Sequence, residues 1–321
     1  MTVFCLVEVD GGGVVDASLR ALTLARGVAA QAGDGLAAVV FGEPPADDLA
    51  AYGVDDVYAV SGIDGYAPQA WGRALAALAD GASAVVAAGT DRGNEVLAHV
   101  GAITGLPMAA NCVAVSAGSG GSFEIVRQRW AGLLLEEAVL DAPIALLTAA
   151  TDAGTAAPAD APGSAVMHQV AASLTDGDLA VRAAEAPAGA GGASLASARV
   201  VVGGGRGVGG ADGFGPLDEL ASLLGGVVGV SRVVTSEGWR PHTQQVGQTG
   251  TKITPDLYLA CGISGAIQHI AGCAGAKHII AINTDPAAPM MARADYAVVG
   301  DLHAVIPALV EALRDRPSRA G

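Results

Sequence analysis

The feature that most constrains this chain is a recurring short run, apolar almost throughout, that stops abruptly at glycine or a polar residue. Residues 84–88 (AVVAA), 257–261 (LYLAC) and 278–283 (HIIAIN) are examples. Runs of this length are too short for a stable helix, and a strand apolar on both sides is buried on both faces. Between them lie stretches with apolar residues three and four apart, which predict helices over 16–32, 68–79, 94–104, 217–224 and 302–313. Pro68 stands where the first turn of a helix tolerates it. Strands alternating with helices predict a mainly parallel sheet covered on both faces, an α/β fold. Hydrophobic residues make up 51% of the chain but aromatics only 4%, so the core is built of Ala, Val, Leu and Ile.

The pattern divides in two. Strands are expected at 3–9, 36–41, 57–60 and 84–88, followed by an antiparallel meander at 113–116, 123–127 and 133–137 and a closing strand at 144–148. Residues 149–197 are rich in Ala, Gly, Pro, Asp and Ser, with strand-like pieces at 165–170 and 179–182. The segment APAGAGGAS, 186–194, has almost nothing to bury and is the expected linker. A second α/β pattern opens at Arg199, with strands at 227–230, 257–261, 278–283 and 296–299. The expected domains are residues 1–190 and 195–321.

Several classes of function are excluded or disfavoured. A net charge of −15 opposes nucleic-acid binding, which needs a basic face. Cys5, Cys112, Cys261 and Cys273 show no CxxC and no metal-ligand spacing, so they read as reduced core thiols. No secretory signal and no run of about 20 apolar residues is visible, so no membrane insertion and a cytoplasmic location are expected. The chain contains no GxSxG, no HExxH and no Cys–His arrangement.

What remains is a set of polar or glycine-rich loops at strand ends in the second half: 203–210, 231–232, 246–250, 262–269, 283–289 and 300–302. In an open parallel sheet such loops gather at one edge, where ligands bind. CGISGAIQHIAG, 261–272, places a glycine-bounded turn before a predicted helix at 266–274, and its outward N–H groups suit a phosphate. The same glycines would also serve a tight turn with no ligand. The GGGRGVGG loop does not keep the GxGxxG spacing. Arg232 is read as ending a buried strand, where an unpaired charge is costly unless an anion meets it. His269 stands out from His99, His168, His278 and His303 because it follows Gln268 at the groove.

LYLACGISGAIQHIAG, together with IIAINTDPAAPMMARADYAVVGDL, GGGRG, GVSR and QVGQTG, resembles the α subunit of electron transfer flavoproteins over about the last 125 residues. The first half shares only the general α/β pattern. The resemblance implies an FAD carrier paired with a β subunit, serving flavin-dependent dehydrogenases and a quinone oxidoreductase or other acceptor. It implies that the C-terminal domain is Rossmann-like, a doubly wound parallel sheet holding FAD. Arg206 and Ser231 would touch the cofactor. Val246, Gly247, Gln248 and Thr249 would form a contact loop, with Thr249 near the flavin N5. Ser264, Gly265, Ala266, Ile267, Gln268 and His269 would wrap the pyrophosphate and ribityl chain, with His269 near the pyrimidine edge. Asn283, Asp301 and Leu302 would hold the adenosine end, and Arg232 would lie over the ring.

A one-electron carrier gains from cations beside the reduced flavin. The Arg232 guanidinium and a His269 imidazolium are expected in that role. No acid–base set is needed for electron transfer. Thr251 and Thr284 stand where the family often has basic residues, and the loop after Thr148 lacks the family's RPG-type pattern, which suggests a branch dedicated to one dehydrogenase. The other readings are an electron-bifurcating α subunit, an NAD-dependent enzyme on a related domain and a non-redox nucleotide-binding module.

Overall fold

The computed structural model describes residues 1–10, 12–130, 132, 134–152, 154–183, 195 and 198–314. The linker expected at 186–194 lies outside the described residues. The chain divides into two compact units, Met1–Pro187 and Ala188–Gly321.

In the first unit the order is β1 (Thr2–Val7), β2 (Val9–Asp10), β3 (Gly13–Val14), α1 (Asp16–Ala32), β4 (Gly35–Phe41), α2 (Ala46–Ala51), β5 (Asp56–Ser61) and α3 (Pro68–Leu78). Then come β6 (Ala84–Ala88), α4 (Asp91–Thr104), β7 (Met108–Ala117), β8 (Phe123–Arg129), β9 (Leu134–Leu140), β10 (Ala145–Ala149) and β11 (Val166–Ala171). Among the described residues nine strands form one sheet in the order β11-β5-β4-β1-β6-β10-β7-β8-β9. It is parallel except for the β7–β8–β9 meander.

Alternation along β1 shows why both faces are covered. Val3, Cys5 and Val7 pack on Ala21, Leu22, Ala25 and Val28 of α1. Phe4 and Leu6 point to the other face, against Trp71 and Leu75 of α3 and Val96, Leu97 and Val100 of α4. Each Val, Leu or Phe among them contributes about 1.5–3 kcal/mol on full burial. Thr90 caps α4 by accepting from the Gly93 N–H at 2.9 Å. Gly105 closes that helix at φ 74°, a left-handed conformation that favours glycine.

One reading is corrected here, and one element is added. Residues 179–182 are not a strand: Leu179 ends a 3₁₀ turn, Asp176–Leu179, held by reciprocal bonds between Thr175 and Asp178. The Asp178 carboxylate also takes Gln69 Nε2 at 3.1 Å and Arg73 Nε at 3.3 Å, which ties the turn to α3. Helix α2 has no counterpart among the expected elements; only Leu49 of its six residues is buried, too little to set a period.

The second unit comprises β12 (Val200–Gly204), α5 (Gly215–Leu223), β13 (Val227–Val230), α6 (Arg232–Ser236), β14 (Leu257–Cys261), α7 (Ile267–Cys273), β15 (His278–Asn283), α8 (Pro289–Arg293), β16 (Tyr296–Val299) and α9 (Leu302–Arg314). Its sheet runs β13-β12-β14-β15-β16, and every pairing is parallel. On one face Val202, Leu259 and Ile282 pack with Leu217 and Leu220 of α5 and Ile306 of α9. On the other, Val201, Tyr258 and Ala281 pack with Cys273 of α7 and Met290 and Met291 of α8. All four cysteines are buried and free. No helix among the described residues is long and apolar enough to cross a membrane.

Candidate functional site

Because all five strands of the second sheet run the same way, the loops that follow them share one edge. Backbone bonds tie these loops side by side. Ser231 N–H donates to Gly204 O at 3.0 Å, Gly205 N–H to Cys261 O at 2.9 Å, Gly262 N–H to Ile282 O at 2.8 Å and Gly300 N–H to Asn283 O at 3.0 Å. The 246–249 loop joins the row through Val246 N–H to Val230 O at 2.9 Å and Gln248 N–H to Gln268 O at 2.8 Å. The sequence-predicted site residues are therefore gathered on one edge.

Their surroundings differ. Arg206, Arg232, Gln248, Thr249, Ser264, Ala266, Ile267, Gln268 and Asp301 are exposed, Ser231 and Asn283 half-buried, and Val246, Gly247, Gly265, His269 and Leu302 buried. Three of them already have structural work. The Leu302 side chain belongs to the core. Asp301 Oδ1 accepts from His303 N–H at 2.9 Å at the start of α9. Asn283 Nδ2 donates to the Ile263 carbonyl at 3.0 Å.

The glycines are explained first by packing. A Cβ on Gly203 would lie 2.4 Å from the Tyr258 hydroxyl, and one on Gly205 would lie 2.2 Å from Gly262 O. GGGRG is thus a loop that must lie flat on its neighbours, and the phosphate reading rests on other observations. Helix α7 spans seven residues rather than the expected 266–274, so the N–H groups of its preceding loop matter more than its dipole.

Arg232 requires a correction. Strand β13 stops at Val230, and Arg232 opens α6 in an exposed position. The cost of a buried charge therefore does not apply. What the structure shows instead is that Arg206 and Arg232 both lie exposed on this edge and, among the described residues, neither is in an ion pair. Arg199, Arg240 and Arg314 of the same unit each bind a carboxylate. In a chain of net charge −15, two unneutralised guanidiniums on one edge attract anions.

His269 requires a second correction. Burial pushes its imidazole down to about 4, against an opposing effect of the Val246 backbone. Burial thus favours the neutral ring at pH 7, the opposite of the expected imidazolium. Its Nε2 lies 2.7 Å from the Tyr258 hydroxyl, and among the described residues its buried Nδ1 has no hydrogen-bond partner. Thr249 Oγ1 accepts from Gln245 Nε2 at 3.1 Å, and Gln245 Oε1 accepts from Thr235 Oγ1 at 2.7 Å, which leaves the Thr249 proton free to be donated.

Tyr258, Gln245 and Thr235 were not among the expected residues. Tyr258 had a visible signal: it is the one aromatic in LYLAC. Gln245 and Thr235 had none, since their pairing depends on how the loop folds back.

Fold and site together define a class: an α/β protein whose second unit offers anions a polar loop edge with two guanidiniums that pair with no carboxylate among the described residues. Comparison with known proteins places it further. Residues 3–175 match the family described as the electron transfer flavoprotein domain, and residues 194–274 the electron transfer flavoprotein FAD-binding domain. The chain is 32% identical to electron transfer flavoprotein subunit alpha of Bacillus subtilis (strain 168) over 317 residues, 96% of each chain. Identity to the subunit alpha of Mycobacterium leprae (strain TN) is 36% over 321 residues, covering 97% of this chain and 98% of the other. With the subunit alpha of Thermoanaerobacterium thermosaccharolyticum it is 54% over 121 residues, 38% of this chain and 37% of the other.

The chain belongs to the electron transfer flavoprotein α-subunit family. Its members are FAD-binding electron carriers that pair with a β subunit. The likeness reaches well beyond the C-terminal part that the motifs alone covered, and the NAD-dependent reading falls to a domain described as FAD-binding.

Proposed function

We propose that the second unit is a Rossmann-like, doubly wound FAD domain and that the cofactor lies along its loop edge. The residues present fit such a group: among the described residues Arg206 and Arg232 are in no ion pair, and the buried Nδ1 of His269 lacks a partner. Ser231, the 246–249 loop and the 264–269 loop would hold the flavin and pyrophosphate through hydroxyls and N–H groups, and the edge near Asn283, Asp301 and Leu302 would take the adenosine end. Bound FAD supplies one- and two-electron redox chemistry. The protein's own part is to bind it, orient it and place charge beside it. The observation that carries this reading is the convergence of every strand-end loop on one edge with two guanidiniums unpaired.

The first unit, with the meander at its sheet edge, is read as the β-subunit contact and holds no cofactor of its own. Electrons would come from flavin-dependent dehydrogenases and pass to a quinone oxidoreductase or another acceptor, within the cytoplasm. The test is co-expression with the β subunit. A yellow complex whose visible absorption is bleached by a reduced flavin dehydrogenase, and restored by an acceptor, supports it. A complex whose bound FAD stays oxidised with every donor dehydrogenase overturns it.

A further inference from the structure

The buried pair Tyr258–His269 lies behind the loop edge, and Tyr258 has no assigned role. Tyr258 is wholly buried in β14, and its ring occupies the space that Gly203 leaves by lacking a Cβ. Among the described residues its hydroxyl has one partner, His269 Nε2, at 2.7 Å. His269 is the third residue of α7, and its Nδ1 faces no acceptor that meets hydrogen-bond geometry.

Two arrangements of protons are open to a neutral ring and a neutral phenol. If Nε2 carries the ring proton and donates to the hydroxyl, the phenol proton must turn away and finds no acceptor, while Nδ1 is a bare buried acceptor. That leaves two groups unsatisfied. If the phenol donates to Nε2, the ring proton sits on Nδ1 and only that one donor is unsatisfied. Each orphaned buried group forfeits its hydrogen bond to water with nothing in return, so the second arrangement wins.

We propose that Tyr258 is a positioning residue for the cofactor site: its hydroxyl donates to Nε2, fixes His269 as the neutral Nδ1–H tautomer, and thereby presents Nδ1–H as a hydrogen-bond donor to the bound cofactor. This rests on the reading of the 264–269 loop as an FAD loop. It replaces the cation expected from the sequence with a neutral donor. A neutral donor stabilises negative charge on a neighbour without the cost of burying a full charge. It also explains why a tyrosine interrupts an otherwise aliphatic strand.

The test uses the α/β complex with histidine labelled with ¹⁵N in the ring, with and without FAD. Long-range ¹H–¹⁵N correlation reads which ring nitrogen carries the proton, and His269→Gln assigns the signal. The expected result at pH 7 is a neutral ring protonated at Nδ1, whose Nδ1 resonance shifts when FAD is added. A proton on Nε2, or on both nitrogens, overturns the proposal while leaving the FAD reading intact. If FAD moves neither this resonance nor the amides of 246–249 and 264–268, the FAD reading fails and the proposal falls with it. Tyr258→Phe is expected to retain FAD at full stoichiometry with a lower reduction potential. A potential that stays the same or rises contradicts the proposal. The spectrum of the parent complex decides the tautomer even where Tyr258→Phe gives no complex.

Discussion

Gly272 of α7 rests on Gly247 so closely that a methyl built on Gly272 would fall 2.3 Å from both N and Cα of Gly247. Real Cβ atoms do not approach backbone this way, so the helix and the 246–249 loop are a single packed piece. The Gln248 N–H to Gln268 O bond at 2.8 Å and the Ile253 N–H to Gly272 O bond at 2.8 Å hold it from both sides. Gly272→Ala must push the loop away, at a cost of about 1–3 kcal/mol. The α/β complex carrying this substitution is expected to hold much less than one FAD, read from its absorbance ratio, and to melt at a lower temperature. Full FAD with an unchanged melting point would show that the loop does not touch the cofactor.

Arg232 supplies the second prediction. Its guanidinium is exposed and lies outside every ion pair among the described residues, so removing it should leave the melting point nearly unchanged. If it lies beside the flavin, Arg232→Ala lowers the potential for the first electron by tens of millivolts, since a tenfold change in a one-electron equilibrium is about 59 mV. Arg232→Lys keeps the charge but loses the flat stack, and is expected to fall between the two. Potentiometric titration of the complex checks this, and equal potentials for all three proteins would remove Arg232 from the flavin's surroundings.

The buried imidazole of His269 makes stability depend on pH. Its folded value, about 4, lies below the ordinary 6.5, so the unfolded chain binds the proton first as pH falls. The contribution is complete above about 6.5 and is lost as pH drops toward 4, a change on the order of 3 kcal/mol. His269→Gln should therefore show a shallower loss of stability than the parent across that window in FAD-free complex. Parallel denaturation curves for the two proteins between pH 7 and 4 would mean that the ring is not buried as described.

Asp178 acts in the first unit and over a more acidic range. The Thr175 N–H and hydroxyl, then Gln69 and Arg73, hold its carboxyl well below the usual range. Its stabilisation is present above the unfolded carboxylate value near 4 and fades as pH falls below it. Asp178→Asn is expected to lower the melting temperature at pH 7 and to match the parent more closely at pH 2–3. A gap of constant size across that range would sink the assignment.

Much of this architecture is legible in the sequence because the strands are short, aliphatic and cut off by polar residues. Runs 84–88, 227–230, 257–261, 278–283 and 296–299 begin and end where β6, β13, β14, β15 and β16 do. α1 was equally clear, since seventeen residues give its apolar period several turns to show itself. α2 is too short for that. At 179–182 a leucine and a valine imitate a strand, while the Thr175–Asp178 cap, which decides the matter, is local chemistry outside the run. At the site, loop positions follow from strand order, so the edge was foreseeable. The state of its side chains was not. Arg232 is exposed because β13 ends two residues earlier. His269 is neutral because the turn at 262–266 carries it into the interior, against Tyr258, eleven residues before it.

The claim on which the rest depends is that FAD lies on the loop edge of the second unit, and hydrogen–deuterium exchange of the α/β complex with and without FAD tests it most directly. The expected result is that FAD slows exchange at the N–H groups of 205–208, 246–249 and 264–269 and leaves the β7–β9 meander unchanged. Protection that bypasses all three loops and falls elsewhere in the complex would contradict it.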